Sequence, residues 1–101
     1  MAKTKTRSRG GNWVVYIIEC SDRTFYTGIT NDLARRLAQH NTGRASRYTR
    51  TRRPVQIIYQ ERCISRSEAS IREWAIKSLS RREKEKLILE RRIDVPFSPM
   101  E

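Results

Sequence analysis

Cysteine is scarce in this chain: Cys20 and Cys63 are its two thiols. They match neither a zinc-ligand spacing nor a disulfide-rich scaffold, which leaves inert thiols in a reducing cytosol or a single bridge. Glycine (4) and proline (3) are too few for a collagen-like or low-complexity chain. The longest apolar run, Trp13–Ile18, falls far short of a membrane span. The N-terminus is basic but has no apolar signal-peptide core. No internal repeat is visible. Acid is also in deficit, with 11 Asp and Glu against 22 Lys and Arg, so the formal net charge is +11. That imbalance favours a polyanionic partner, nucleic acid or an anionic membrane surface. A membrane-surface binder needs a long basic helix with a bulky apolar face, and none is apparent. The 101 residues suit one domain with one modest core, in a cytoplasmic protein.

Residues 1–11 hold four basic residues, no acid and no large apolar residue except Met1. Such a segment cannot offset its ordering entropy, so a disordered basic arm or an inert solubilising tail is expected. Trp13–Glu19 is β-branched and aromatic and reads as a buried strand. Ser21, Asp22 and Arg23 form a turn, and Thr24–Ile29 follows as the second strand of an antiparallel hairpin. Thr30 or Asn31 caps a helix that ends at Gly43, with Leu33 and Leu37 on one face.

Arg44–Arg53 reads as a loop with five arginines and no acid, closed by Pro54. Val55–Glu61 is the third strand. Ser65 with Glu68 and Ser80 with Glu83 are capping boxes, opening helices expected to end near Leu79 and Arg91. The tail, 94–101, carries Pro96 and Pro99 and is expected to be irregular. The order β-β-α-β-α-α predicts an α+β domain over 12–93, a three-stranded antiparallel sheet flanked by helices.

Several residues invite chemistry. Tyr16 and Tyr26 are either two ordinary strand tyrosines or a pair on one face. Gly28 is either a bulge or a point of close backbone approach. Arg36 and His40, four apart, share a helix face, solvated or clamping a phosphate. Glu73, on an otherwise apolar stripe, is either a rim residue paired with Lys77 or a metal ligand. One carboxylate completed by water and substrate phosphate suits Mg²⁺. Arg35, Arg44, Arg47, Tyr48, Arg50, Arg52 and Arg53 interleave charge with an aromatic, as a nucleic-acid-facing surface does.

Taken in order, these pieces carry a resemblance. Val14-Val15-Tyr16, then Tyr26-Thr27-Gly28, then Arg36, Gln39-His40-Asn41 and Glu73 resemble the motifs of the GIY-YIG nuclease superfamily in sequence and spacing. The resemblance runs from about Trp13 to Leu89 and points to the small stand-alone bacterial branch. Val14 stands where that family has its leading glycine, and a late asparagine of some relatives has no counterpart after Glu73. The resemblance implies an α/β domain with a central antiparallel sheet and phosphodiester hydrolysis with Mg²⁺ or Mn²⁺. It implies that Tyr16 and Tyr26 are the motif tyrosines, that Arg36 steadies phosphate charge, and that Glu73 binds metal. It matches His40 to a histidine of some branches. The expected function is a metal-dependent endonuclease acting on DNA rather than RNA, in repair or recombination, with specificity supplied by the basic arm, the Arg44–Arg53 loop, oligomerisation or a protein partner. The alternative is a non-catalytic basic nucleic-acid-binding module on the same fold.

Overall fold

The computed structural model describes residues 12–100, with side chains as far as Arg91. The arm expected over 1–11 lies outside the described residues. Strands β1 (Trp13–Glu19), β2 (Phe25–Thr30) and β3 (Gln56–Cys63) form one antiparallel sheet in the order β2-β1-β3. Helices α1 (Leu33–Asn41), α2 (Arg47–Arg50), α3 (Arg66–Lys77) and α4 (Arg81–Met100) complete the chain. The expected α+β class and three-stranded sheet are both present.

The central place of β1 follows from its composition. Val15, Tyr16, Ile17 and Ile18 are buried in succession, so both faces of this strand are covered. Val15 and Ile17 pack on one face with Tyr59, Cys63, Ala69, Ile76 and Ile88. This brings α3 and α4 to that side. Tyr16 and Ile18 point to the other face, where Leu33 and Leu37 of α1 and Tyr48 of α2 join them. Strand alternation thus divides one apolar run between two cores.

The helix starts are local chemistry. The Ser65 side chain accepts from the Glu68 N–H at 3.1 Å, while Glu68 accepts from the Ile64 N–H. Ser80 and Glu83 form the reciprocal capping box, with bonds of 3.1 and 2.8 Å. Three expectations need correction. The cap of α1 is Asp32, whose carboxylate accepts from the Arg35 N–H; Thr30 Oγ1 instead accepts from the Asp32 N–H. The arginine-rich segment is not all loop: Ser46 caps the four-residue α2 by accepting from the Thr49 N–H. Finally, α4 runs on to Met100 rather than ending near Arg91. Pro96 and Pro99 each forgo one backbone hydrogen bond, and the segment continues past them as helix.

At the other end of α1, Gly43 has φ +81° as a helix-ending glycine does. Asn41 then ties α1 to the start of β3: its amide accepts from the Val55 N–H at 2.8 Å and donates to the Val55 carbonyl at 3.1 Å. Cys20 and Cys63 are both buried and free, which excludes the single bridge. No described helix is long and apolar enough to cross a membrane.

Candidate active site

The hairpin register brings the two tyrosines to one face. Tyr16 pairs with Gly28 and Ile18 with Tyr26, so Tyr16, Gly28 and Tyr26 share the side of the sheet that α1 covers. From that helix, His40 enters between the tyrosines. It is 1 % exposed, and its Nε2 lies 3.0 Å from Tyr16 Oη. Both tyrosine rings meet the imidazole edge-on, with centroids 5.9 Å away for Tyr16 and 5.3 Å for Tyr26. Tyr26 stacks in turn on Tyr48 at 5.9 Å.

The other imidazole nitrogen is also engaged. His40 Nδ1 lies 2.8 Å from the hydroxyl of Thr49, a fully buried residue on α2. Thr49 is the site residue that sequence reasoning missed. Its neighbours in sequence, Arg47, Tyr48 and Arg50, drew attention as a charged surface. A threonine facing inward among them carries no periodic signal in so short a helix.

Burial and charge set the protonation states. Enclosure lowers the His40 pKa to about 4, and the nearby Arg36 cation acts in the same direction. His40 is therefore neutral at pH 7. Enclosure pushes the Tyr16 phenol well above its ordinary value of 10; Tyr26 and Glu73 add to the rise and Arg36 opposes it. Tyr16 therefore keeps its proton in the free protein. These influences also place Arg36 and Glu73 within electrostatic reach of the same phenol.

Glu73 stands on α3, the helix covering the opposite sheet face. Its side chain is about a quarter exposed, and its Oε2 lies 3.1 Å from Lys77 Nζ. The ion pair with Lys77 expected of a rim residue is therefore present. Among the described residues no three acidic, histidine or cysteine side chains converge to cage a metal. The donor set is a single, partly exposed carboxylate. That fits a hard cation such as Mg²⁺ and does not fit a structural zinc.

The arginine segment divides into two groups. Arg35, Arg44, Arg47, Arg50 and Arg53 are exposed. Arg53 donates to the carbonyls of Arg50 and Asn41. Arg52 is turned inward. It pairs with Asp22 at 3.1 Å, donates to the Tyr48 carbonyl at 2.8 Å, and lies 3.9 Å from the Tyr48 ring centroid. Tyr48 is half-buried between Arg52 and Tyr26, a packing position rather than an open stacking platform.

A family model described as the GIY-YIG catalytic domain matches residues 12–86. The chain belongs to the GIY-YIG family. Among relatives, a UPF0213 protein of Desulfotalea psychrophila is 54% identical over 77 residues, covering 75% of this chain and 70% of that protein. A UPF0213 protein of Halobacterium salinarum is 55% identical over 73 residues, covering 72% and 95%. The solution NMR structure of an E. faecalis protein superposes with a TM-score of 0.55 at 38% identity, covering 79% of this chain and 85% of that one. The solution NMR structure of a UPF0213 protein from Bacillus halodurans gives 0.50 at 42% identity, covering 75% and 81%. The chain is thus similar to small stand-alone members of a nuclease family. GIY-YIG nucleases act on nucleic acid and generally depend on a divalent metal.

Proposed function

We propose that this protein is a divalent-metal-dependent endonuclease that hydrolyses phosphodiester bonds in DNA. The observation that carries the reading is the Tyr16–His40 contact beside Tyr26, with Arg36 and Glu73 in electrostatic reach, on a GIY-YIG domain. Tyr16 is the base. A phenol that holds its proton so firmly cannot wait as a phenolate. It takes a proton from the attacking water while giving its own to His40 Nε2.

In that step one water O–H bond breaks and the water oxygen bonds to phosphorus. The bond from phosphorus to the leaving oxygen breaks, and that oxygen takes a proton from solvent. His40 afterwards returns its extra proton through Tyr16. Tyr26, edge-on to the same imidazole, orients the water. Arg36 neutralises charge developing on the non-bridging oxygens. Glu73 holds Mg²⁺ or Mn²⁺, which supplies Lewis acidity to the phosphate when bound.

Arg35, Arg44, Arg47, Arg50 and Arg53 take the flanking phosphates, supported by the net charge of +11. Arg52 and Tyr48 hold that surface in shape. The role is of the repair or recombination type, in the cytoplasm, where two buried free thiols stay reduced. Specificity comes from the arginine-rich segment or from a protein partner.

The test is cleavage of a panel of supercoiled, duplex, flap and four-way-branched DNA with Mg²⁺ or Mn²⁺, beside an EDTA control. Metal-dependent cutting of any substrate supports the reading. Binding without cutting across the panel, under conditions that keep the protein folded, replaces it with the binding-module alternative. Loss of cutting in Tyr26→Phe but not in Tyr16→Phe reverses the tyrosine roles.

A further inference from the structure

We infer that Thr49 is a positioning residue that holds His40 in the tautomer carrying its proton on Nδ1, so that Nε2 is the free acceptor facing Tyr16. The inference deepens the proposed relay and rests on it for its catalytic consequence. The tautomer itself is a property of the free protein.

Imidazole that is neutral has one N–H and one lone pair, and the partner of one nitrogen decides the role of the other. Here both partners are hydroxyls, Tyr16 Oη at 3.0 Å and Thr49 Oγ1 at 2.8 Å. Hydroxyls both donate and accept, so His40 alone does not choose. The choice falls to what else each hydroxyl touches. Thr49 Oγ1 lies 3.1 Å from Ser46 Oγ and 3.5 Å from the Ser46 carbonyl. Ser46 therefore offers acceptors for the Thr49 proton, which leaves a lone pair of Thr49 Oγ1 for His40 Nδ1–H. Tyr16 Oη has one hydrogen-bonded partner among the described residues, His40 Nε2. A phenol whose proton is firmly held fills that contact best as donor.

The Nδ1 side of the imidazole is closed: His40 is 1 % and Thr49 0 % exposed, so bulk water does not substitute there for a missing Thr49 hydroxyl. Every buried polar side-chain atom in the described residues has a partner, and Thr49 is what satisfies Nδ1. The backbone of α2 secures the threonine: the Thr49 N–H donates to Ser46 Oγ at 3.1 Å. The same turn that presents Arg47 and Arg50 to solvent thus aims its one buried side chain at the imidazole.

Thr49→Val keeps the shape and removes the hydroxyl; Thr49→Ser keeps the hydroxyl. ¹⁵N NMR of the imidazole in the free wild-type protein is expected to show the Nδ1–H form. In Thr49→Val that form gives way to the Nε2–H form, and Thr49→Ser restores it. On a cleaved substrate, Thr49→Val is expected to lower the turnover rate roughly tenfold or more with DNA affinity unchanged, and Thr49→Ser to stay near wild type. A wild-type imidazole protonated on Nε2 overturns the inference, and that measurement does not depend on any variant folding. Equal turnover of wild type and a folded Thr49→Val also overturns it, while leaving the nuclease reading intact. A wild type that cuts nothing yet shows the tautomer exchange between Thr49→Val and Thr49→Ser sinks the nuclease reading and supports the role of Thr49.

Discussion

Gly28 lies directly across the β1–β2 ladder from Tyr16, and a Cβ added to it would stand 2.6 Å from Tyr16 Oη and 2.8 Å from Cζ. The glycine of the second motif clears space for the tyrosine of the first. Its role here is to let the Tyr16 ring lie over the neighbouring strand and reach His40. That is a stricter demand than backbone approach by a ligand, because the occupant is permanent.

Gly28→Ala is therefore expected to displace the phenol rather than merely crowd a surface. Both residues lie in paired strands, so the backbone cannot retreat, and the ring must swing away from His40. Overpacking of this kind costs about 1–3 kcal/mol. The urea midpoint should fall accordingly, and the edge-on ring contact with the imidazole should vanish from NMR cross-peaks. An unchanged midpoint with intact cross-peaks would mean that the sheet yields more readily than the ladder implies.

The neutral His40 makes stability depend on acid. Its pKa is lowered to about 4 in the folded protein, against an ordinary value of 6.5. Between these values the unfolded chain binds a proton that the folded chain refuses, so the contribution is full above about pH 6.5 and declines as pH falls towards 4. The loss is on the order of 2 kcal/mol. Urea midpoints measured from pH 7 to pH 4.5 should fall more steeply for wild type than for His40→Gln. Parallel curves would place the proton elsewhere.

Much of this was legible in sequence where the cause is local. The Ser65 and Ser80 caps, the apolar β1 run and Gly43 depend on neighbours a few residues away. The tyrosine pair needed register, which puts Tyr16 opposite Gly28, and parity across a turn cannot supply that. Thr49 and Asn41 were illegible for a related reason: their partners lie nine and fourteen residues away and are brought near only by the packed fold. Arg52 was ambiguous because guanidinium groups serve phosphate and carboxylate alike, and the Asp22 that it meets is delivered by the distant hairpin turn.

Glu73 separates an enzyme from a binding module. Glu73→Gln keeps size and hydrogen bonding but removes the charge for a cation, and it relieves repulsion of a phosphate backbone. The ion pair to Lys77 is a partly exposed i,i+4 contact worth about 0.5 kcal/mol, so the fold should be undisturbed. Cleavage should drop at least about a hundredfold, with DNA affinity kept or slightly raised. Arg36→Ala should lose cleavage and weaken binding as well. Equal cutting by wild type and Glu73→Gln would reduce Glu73 to the partner of Lys77.

Salt dependence reads the division among the arginines. Arg44, Arg47 and Arg50 are exposed and make no ion pair among the described residues, so their charges are available to phosphate. Removing one arginine from its phosphate should flatten the slope of log affinity against log salt by about 0.9 on duplex DNA. Changing all three to alanine should therefore reduce the slope by roughly 2–3 and weaken binding most at low salt. Arg52→Ala should behave differently. Its guanidinium is spent on Asp22, the Tyr48 carbonyl and the Tyr48 ring, so its loss should lower the urea midpoint and leave the slope nearly unchanged. The pair of measurements is decisive because a nonspecific loss of positive charge would move both slopes by an amount proportional to the charges removed. If Arg52→Ala flattens the slope as much as any one of the exposed arginines does, the inward turn of Arg52 does not persist on DNA, and Tyr48 is freed with it.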